Sequence, residues 1–336
     1  MIIKSLKIKS LFIILIILVV VAVAYFSIVL AAENKYIKWV DFTPTCKILE
    51  KVANLDIASH EENSKTKYNW IELLSYLAAK YGGDFNRFNQ KDLDAIIERI
   101  DCGESVSVIM KDSKYYSYYL EAYTAILGEY IGEYEIETKD ENGEKIFKSK
   151  YGLKVFSPIA KNYWYSHSDD FGNSRSYGYK RIHFGNDLIG SVGTPIVAVE
   201  SGIVEAIGWN QYGGWRIGIR SFDTKRYYYY AHMRKGHPYN SEIYEGKIVK
   251  AGDVIGYLGM TGYSTKEDVN NINTPHLHFG IQLIFNEVQK DGPNQVWIDV
   301  YQIIKFLKRN GSEVYYDKHS NELFRKYDMF EEHTRE

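Results

Sequence analysis

The chain is poor in cysteine, with 2 in 336 residues, Cys46 and Cys102. Two cysteines without the paired spacing of a zinc knuckle exclude a centre of that kind. An exported location permits a disulfide between them, and two unlinked thiols in a helical core fit the sequence equally well. Charge of one sign is also lacking: 41 Lys and Arg against 43 Asp and Glu leave a formal net charge of −2. That balance provides no basic footprint for neutralising phosphates, so nucleic acid is excluded as an expected partner. There is no internal repeat and no low-complexity stretch, and 45% apolar with 15% aromatic residues exclude a disordered chain. What remains is enough length to bury a core, most simply in two modest domains.

A long hydrophobic run occurs once. Residues 11–32 carry no charge, follow Lys4, Lys7 and Lys9, and precede Glu33, Asn34 and Lys35. At about 1.5 Å per helical residue the run crosses a hydrocarbon core of roughly 30 Å. The lysine asymmetry puts residues 1–10 in the cytoplasm and everything after Glu33 outside. Val29, Leu30 and Ala31 also offer a small-residue cleavage pattern, which makes a secretory signal the competing reading. The length favours an uncleaved anchor in the cell membrane; a cleaved segment leaves a secreted protein, and both export the rest.

Residues 36–132 are expected to form a small helical domain of unknown role. Trp70, Leu73, Leu74, Leu77 and Tyr81 recur at intervals of three and four, with Asn69 as the cap, Glu72 three residues on, and Gly82 and Gly83 as the stop. Leu93, Ile96, Ile97 and Ile100 mark a second helix before Gly103. Tyr115, Tyr116, Tyr119, Leu120, Tyr123, Ile126 and Leu127 mark a third before Gly128, whose tyrosine stripe has the spacing of a core face. Residues 133–152 read as an exposed hairpin connector, with its turn at Glu141, Asn142 and Gly143. Residues 153–288 change grammar to short β-branched or aromatic runs between glycine-bearing turns, with no room for an ordinary helix between Pro158 and Gln282. In residues 289–336, Asp299 is placed to cap a helix through Val300, Ile303, Ile304 and Leu307, followed by a charged tail. The fold expected is α+β overall: a single transmembrane helix, a small helical domain and an all-β domain, an antiparallel sandwich or partly open barrel.

Of 9 histidines, four cluster in two signatures and a strand end. His183 and Asp187, four apart with Gly185 between them, can turn toward one cation. His276 and His278 share one face of a strand while Leu277 and Phe279 point to the other. His232 ends the run Tyr227, Tyr228, Tyr229, Tyr230, Ala231. Imidazole and carboxylate are ordinary zinc ligands, a catalytic site keeps one position open, and spare histidines beside it can carry a proton. Each signature alone is weak; their joint occurrence in one β-rich stretch carries the reading. His60, His167, His237, His319 and His333 lack such companions and read as surface residues, His237 at most lining the cleft; Asp169 and Asp170 read as an exposed turn, with part of a cleft wall as the alternative.

From Val155 to Phe285 the sequence resembles the lysostaphin-type (LytM-like) zinc metalloendopeptidases that cleave peptides of bacterial cell walls. The resemblance rests on His183 to Asp187, on Gly193, Thr194 and Pro195, on Tyr212, Gly213 and Gly214, and on Tyr230, Ala231 and His232. It continues through Gly252, Asp253, Ile255, Gly256, Gly259, Thr261 and Gly262, and closes on Thr274, Pro275, His276, Leu277, His278 and Phe279. It implies that His183, Asp187 and His278 hold Zn²⁺, that His276 is the general base, and that His232 orients the water or steadies the oxyanion. The segment from Tyr263 to Thr274 is longer than the family's usual turn, a departure that bears on substrate shape.

The resulting expectation is a membrane-anchored peptidase acting on peptidoglycan peptides, with the membrane and a protein partner of the helical domain as further contacts. A catalytically silent envelope scaffold using the same fold for binding is the alternative from another class. Hydrolysis of a secreted protein or peptide is a third reading.

Overall fold

The computed structural model describes residues 16–21, 36–178, 180–292 and 294–335. Among these no helix is long and apolar enough to cross a membrane. Residues 16–21 are helical, and the rest of the span expected at 11–32 lies outside the described residues.

The helical layer comprises α1 (Cys46–Ser59), α2 (Trp70–Tyr81), α3 (Gln90–Asp101), the single turn α4 (Val106–Ile109) and α5 (Tyr116–Leu127). The local signals act as expected. Asn69 accepts from the backbone N–H groups of Ile71 and Glu72, and Gly82 ends α2 at φ 65°, which a residue without Cβ adopts freely. The tyrosine stripe on α5 is mainly core: Tyr116 and Tyr123 are buried, while Tyr115 is exposed. Cys46 and Cys102 are separate free thiols.

Sixteen strands follow: β1 (Ile131–Lys139), β2 (Lys145–Leu153), β3 (Ser174–Arg175), β4 (Arg181–Ile182), β5 (Asn186–Ile189), β6 (Pro195–Val197), β7 (Gly202–Asn210), β8 (Gly214–Ser221), β9 (Arg226–Ala231), β10 (Ile248–Val249), β11 (Val254–Tyr257), β12 (His276–Leu283), β13 (Val296–Ile298), β14 (Val314–Asp317), β15 (Glu322–Arg325) and β16 (Met329–Phe330), with α6 (Tyr301–Leu307) between β13 and β14. The main sheet runs β10-β7-β8-β9-β12-β13, and β5 pairs with the first half of β12 on the edge that β13 uses farther along. The expected β grammar of this region holds. Two readings at its borders change. The hairpin β1–β2 takes β16 as a third strand, and the tail that reads as merely charged folds into the β14–β15 hairpin and β16. Alternation in these strands is too short to stand out against their charged residues, so pairing had to supply it.

Strand alternation divides the main sheet into two faces. On β12, Leu277, Phe279, Ile281 and Leu283 are fully buried, and on β9 Tyr228 and Tyr230 join them. His276, His278 and Gln282 of β12 and Tyr227, Tyr229 and Ala231 of β9 take the opposite face.

The buried side of the sheet carries the helical layer. Trp70 packs between Tyr130 and Phe306, with ring centroids 6.5 and 6.0 Å away. Arg226, fully buried, is the polar bolt of this joint. Its Nε donates to Glu200 at 2.8 Å, its Nη2 to Glu200 at 2.9 Å and to Asp223 at 3.0 Å, and its Nη1 reaches the Ala125 carbonyl of α5 at 2.8 Å. Burial pushes the Glu200 carboxyl above its ordinary range, and the Arg226 charge pulls it back only in part. Arg226→Met leaves that carboxylate buried without its counter-ion and is expected to cost about 3–5 kcal/mol in urea unfolding, most of it recovered when Glu200→Leu is added. Equal loss in the single and double variants would show that packing, not the unpaired charge, dominates.

Candidate metal centre and its cleft

The site begins with the register of β12. His278 lies directly across from Asp187 on β5, and Leu277 across from Leu188, so the pairing that buries the apolar row delivers one histidine and one carboxylate side by side. His183 comes in from the turn after β4. Its Nε2 lies 2.9 Å from Asp187 Oδ1 and 2.8 Å from His278 Nδ1, and the last two atoms are 3.1 Å apart. Two imidazole nitrogens and one carboxylate oxygen therefore converge on one point.

This donor set fits zinc. Ligand atoms around a tetrahedral Zn²⁺ at about 2.0–2.1 Å sit roughly 3.3 Å from one another, so these side chains need open by only a few tenths of an ångström. Burial alone raises the Asp187 carboxyl, yet hydrogen bonds from His183 and His278 and the facing histidine charges outweigh it and hold the group far below its ordinary range. Burial lowers the His278 pKa, against the pull of Asp187. Both shifts favour the deprotonated, ligating forms.

The two other histidines flank this group. His276 Nε2 is 3.7 Å from Asp187 Oδ1, and its Nδ1 is 2.8 Å from the Thr274 carbonyl. His232 packs 4.8 Å from His276 and 6.0 Å from His278 between ring centroids, with its Nδ1 2.9 Å from the Thr261 carbonyl. A carbonyl only accepts, so each Nδ1 must donate to it, and in the neutral form of either ring the lone pair is then on Nε2. Burial, followed by the neighbouring His276 and His278, lowers the His232 pKa well below its usual value and keeps that ring neutral. His232 holds a left-handed φ of 63°, fixed by its own N–H on the Gly213 carbonyl at 2.7 Å.

All five predicted site residues thus meet in one place. Four more partners belong to it that motif reading does not single out. Asp170 is half-buried rather than an exposed turn: its carbonyl lies 3.0 Å from His183 Nδ1, and its Oδ1 accepts from Asn186 at 2.6 Å. Arg175 reaches Asp170 and Asp187, each at 3.0 Å. His167, read from the sequence as a surface residue, is half-buried with its Nδ1 2.6 Å from Asn186 Oδ1. These groups fix the tautomer and angle of His183 and the orientation of Asp187, as supporting shells around metals do. The only sequence signal was the proximity of Asp170 and Asn186 to the first histidine.

The centre opens into a cleft of about 450 Å³ that is floored by β8, β9 and β12. Tyr177 and Tyr263 stack at 4.7 Å on one rim, and Trp297 stands 6.1 Å from Tyr229 on another. The long segment after Tyr263 is anchored by Asp268, which accepts from Trp215 Nε1 and from the Gly236 N–H, both at 2.8 Å.

Residues 181–291 match the model of peptidase family M23. The sequence is 39% identical to the L-Ala–D-Glu endopeptidase of Bacillus subtilis over 117 residues, 35% of this chain and 34% of that protein. It is 41% identical to lysostaphin of Staphylococcus staphylolyticus over 99 residues, 29% of this chain and 18% of that protein. It is 30% identical to the peptidoglycan DD-endopeptidase ShyC of Vibrio cholerae over 176 residues, 50% of this chain and 34% of that protein. The chain therefore spans 34% or less of the length of these curated relatives.

Gly185 tests how tightly the ligands are held. A Cβ there would lie 2.7 Å from both His278 Cε1 and the Phe279 carbonyl. Gly185→Ala is expected to weaken zinc binding by at least about tenfold in a chelator competition, in the range seen when a ligand's support is disturbed. Unchanged affinity would mean that the turn shifts without moving His183.

Proposed function

We propose that this chain, whose residues 181–291 form a peptidase family M23 domain of the lysostaphin type, is a zinc endopeptidase that hydrolyses peptide bonds of bacterial peptidoglycan. The observation that carries the reading is the convergence of His183, Asp187 and His278 beside two further histidines whose Nδ1 atoms are held on main-chain carbonyls. The wall substrate is supported by what the relatives' names say they cleave.

Zinc on these three donors supplies a Lewis acid that acidifies water to a pKa of roughly 7 and polarises a carbonyl. The chain's own residues do the rest. His276, with its Nδ1 held by Thr274, takes the proton from the attacking water on Nε2 and returns it to the leaving amine. His232, kept neutral by burial, accepts a hydrogen bond from that water and orients its lone pair; of the two roles the family resemblance offers, a lone pair on Nε2 favours this one. No covalent intermediate is formed on the chain, because the attacking group is water rather than a side chain. A silent scaffold has no use for two such histidines. We further place the domain outside the cell membrane, held by residues 11–32, on the strength of that uncharged run and the lysines before it.

The direct test incubates the zinc-loaded full chain with purified peptidoglycan, beside the same protein stripped with a chelator. New amino termini should appear only with zinc. Asp187→Ala should lose both metal and activity, whereas His276→Ala should retain stoichiometric zinc and lose turnover by roughly 10²–10⁴-fold. Full turnover in the His276 variant would remove it as the base, and bound zinc with no product from any wall preparation would favour the scaffold reading.

A further inference from the structure

The cleft contains a cation that the hydrolytic chemistry does not use. Arg216 lies on β8, whose register sets Ile217 across from Tyr230 and carries Arg216 level with Ala231. Ala231 is itself the cross-strand partner of His278. Arg216 thus stands two strands from a metal-binding histidine, about 9–10 Å between backbones at the usual strand spacing. Its Nη1 is buried and has no hydrogen-bond partner. The other cations of the cleft are engaged: Arg175 with Asp170 and Asp187, Lys290 with Glu205, and Arg181 against the rings of Tyr212 and Tyr263. Among the described residues no carboxylate forms an ion pair with Arg216.

Arg216 lines the cleft. Gly214 and Gly218 flank it on the same face of β8, where the Thr261–Gly262 backbone and the Tyr227 side chain take the space their side chains lack. The tyrosines Tyr227 and Tyr229 form one wall, and the Tyr229 hydroxyl is already occupied by Asn210 Nδ2 at 3.2 Å. A buried guanidinium nitrogen with no acceptor costs free energy that a ligand carboxylate recovers. A neutral glycine-rich peptide can offer that nitrogen only a carbonyl oxygen, a weaker acceptor than a carboxylate.

Resting on the peptidase reading above, we propose that Arg216 is a specificity-determining residue that binds a free carboxylate of the substrate, carried by a residue within about two positions of the scissile bond. The distance follows from about 3.3 Å per extended residue against the two-strand separation, less the reach of the arginine. The substrate class is therefore an acidic wall peptide rather than a neutral bridge.

The test uses one stem peptide from peptidoglycan in two forms, with its glutamyl carboxylate free and with that group converted to the carboxamide. Hydrolysis and binding of each are measured on the zinc-loaded full chain. The wild-type protein should favour the free acid by roughly tenfold to a hundredfold, the discrimination expected of a buried charge-assisted pair. Arg216→Gln should abolish that preference by lowering binding and hydrolysis of the free acid toward those of the amide form, and Arg216→Lys should restore part of it. Unchanged zinc stoichiometry and thermal unfolding show that the variants are folded. Equal handling of acid and amide by the wild type, or a preference that survives in Arg216→Gln, would overturn the assignment. If neither form is cleaved, binding alone decides: an acid preference lost in Arg216→Gln sustains the carboxylate site and counts only against the peptidase reading.

Discussion

Strand β12 faces two ways, and its register against β5 is the constraint from which the site follows. Leu277 and Phe279 are locked into the core, so His276 and His278 have no choice but to face the cleft, and His278 must lie opposite Asp187. A slip of one residue would exchange the two faces, burying both imidazoles and exposing the apolar row. Several kcal/mol of apolar burial thus help to hold the ligand geometry.

The core that holds β12 is continued by the helical layer. Trp70, Tyr130 and Phe306 form an aromatic seam between α2, the entry to β1 and α6, and the Arg226–Glu200 pair ties the sheet to the last turn of α5. The Gln289 side chain donates to the Ile37 carbonyl at 2.7 Å, so the start of the described helical region is also fastened beside the end of β12. The helices therefore share one apolar core with the sheet that carries the centre, and any force on the helical layer is transmitted to the back of that sheet.

Around the centre, polar support is layered. His167 and Asn186 hold Asp170, Asp170 and Arg175 hold His183 and Asp187, and Thr274 and Thr261 set the tautomers of His276 and His232. The proton-carrying nitrogens thus point at main-chain carbonyls and the lone pairs point inward. Glycines keep the assembly close: Gly185 under His278, and Gly262 at φ 124° beside the His232 ring.

Several features were legible in the sequence because they are local. Helix α2 carries its own start and stop at Asn69 and Gly82, strand β12 its own two-residue alternation, and the five metal and proton-transfer candidates sit in short, ordered signatures. Other features were not, because no local pattern encodes them. Asp170, Arg175 and His167 acquire their roles from a turn folding back over β5, and two-residue strands such as β16 exist only through their partners. The unpaired Nη1 of Arg216 depends on which carboxylates the fold brings near and which it spends elsewhere. The sequence by itself determined the ligand chemistry and the alternation that aims it. Tertiary structure decided the tautomers, the supporting shell and the charge left open in the cleft, since these depend on contacts between residues far apart in the chain.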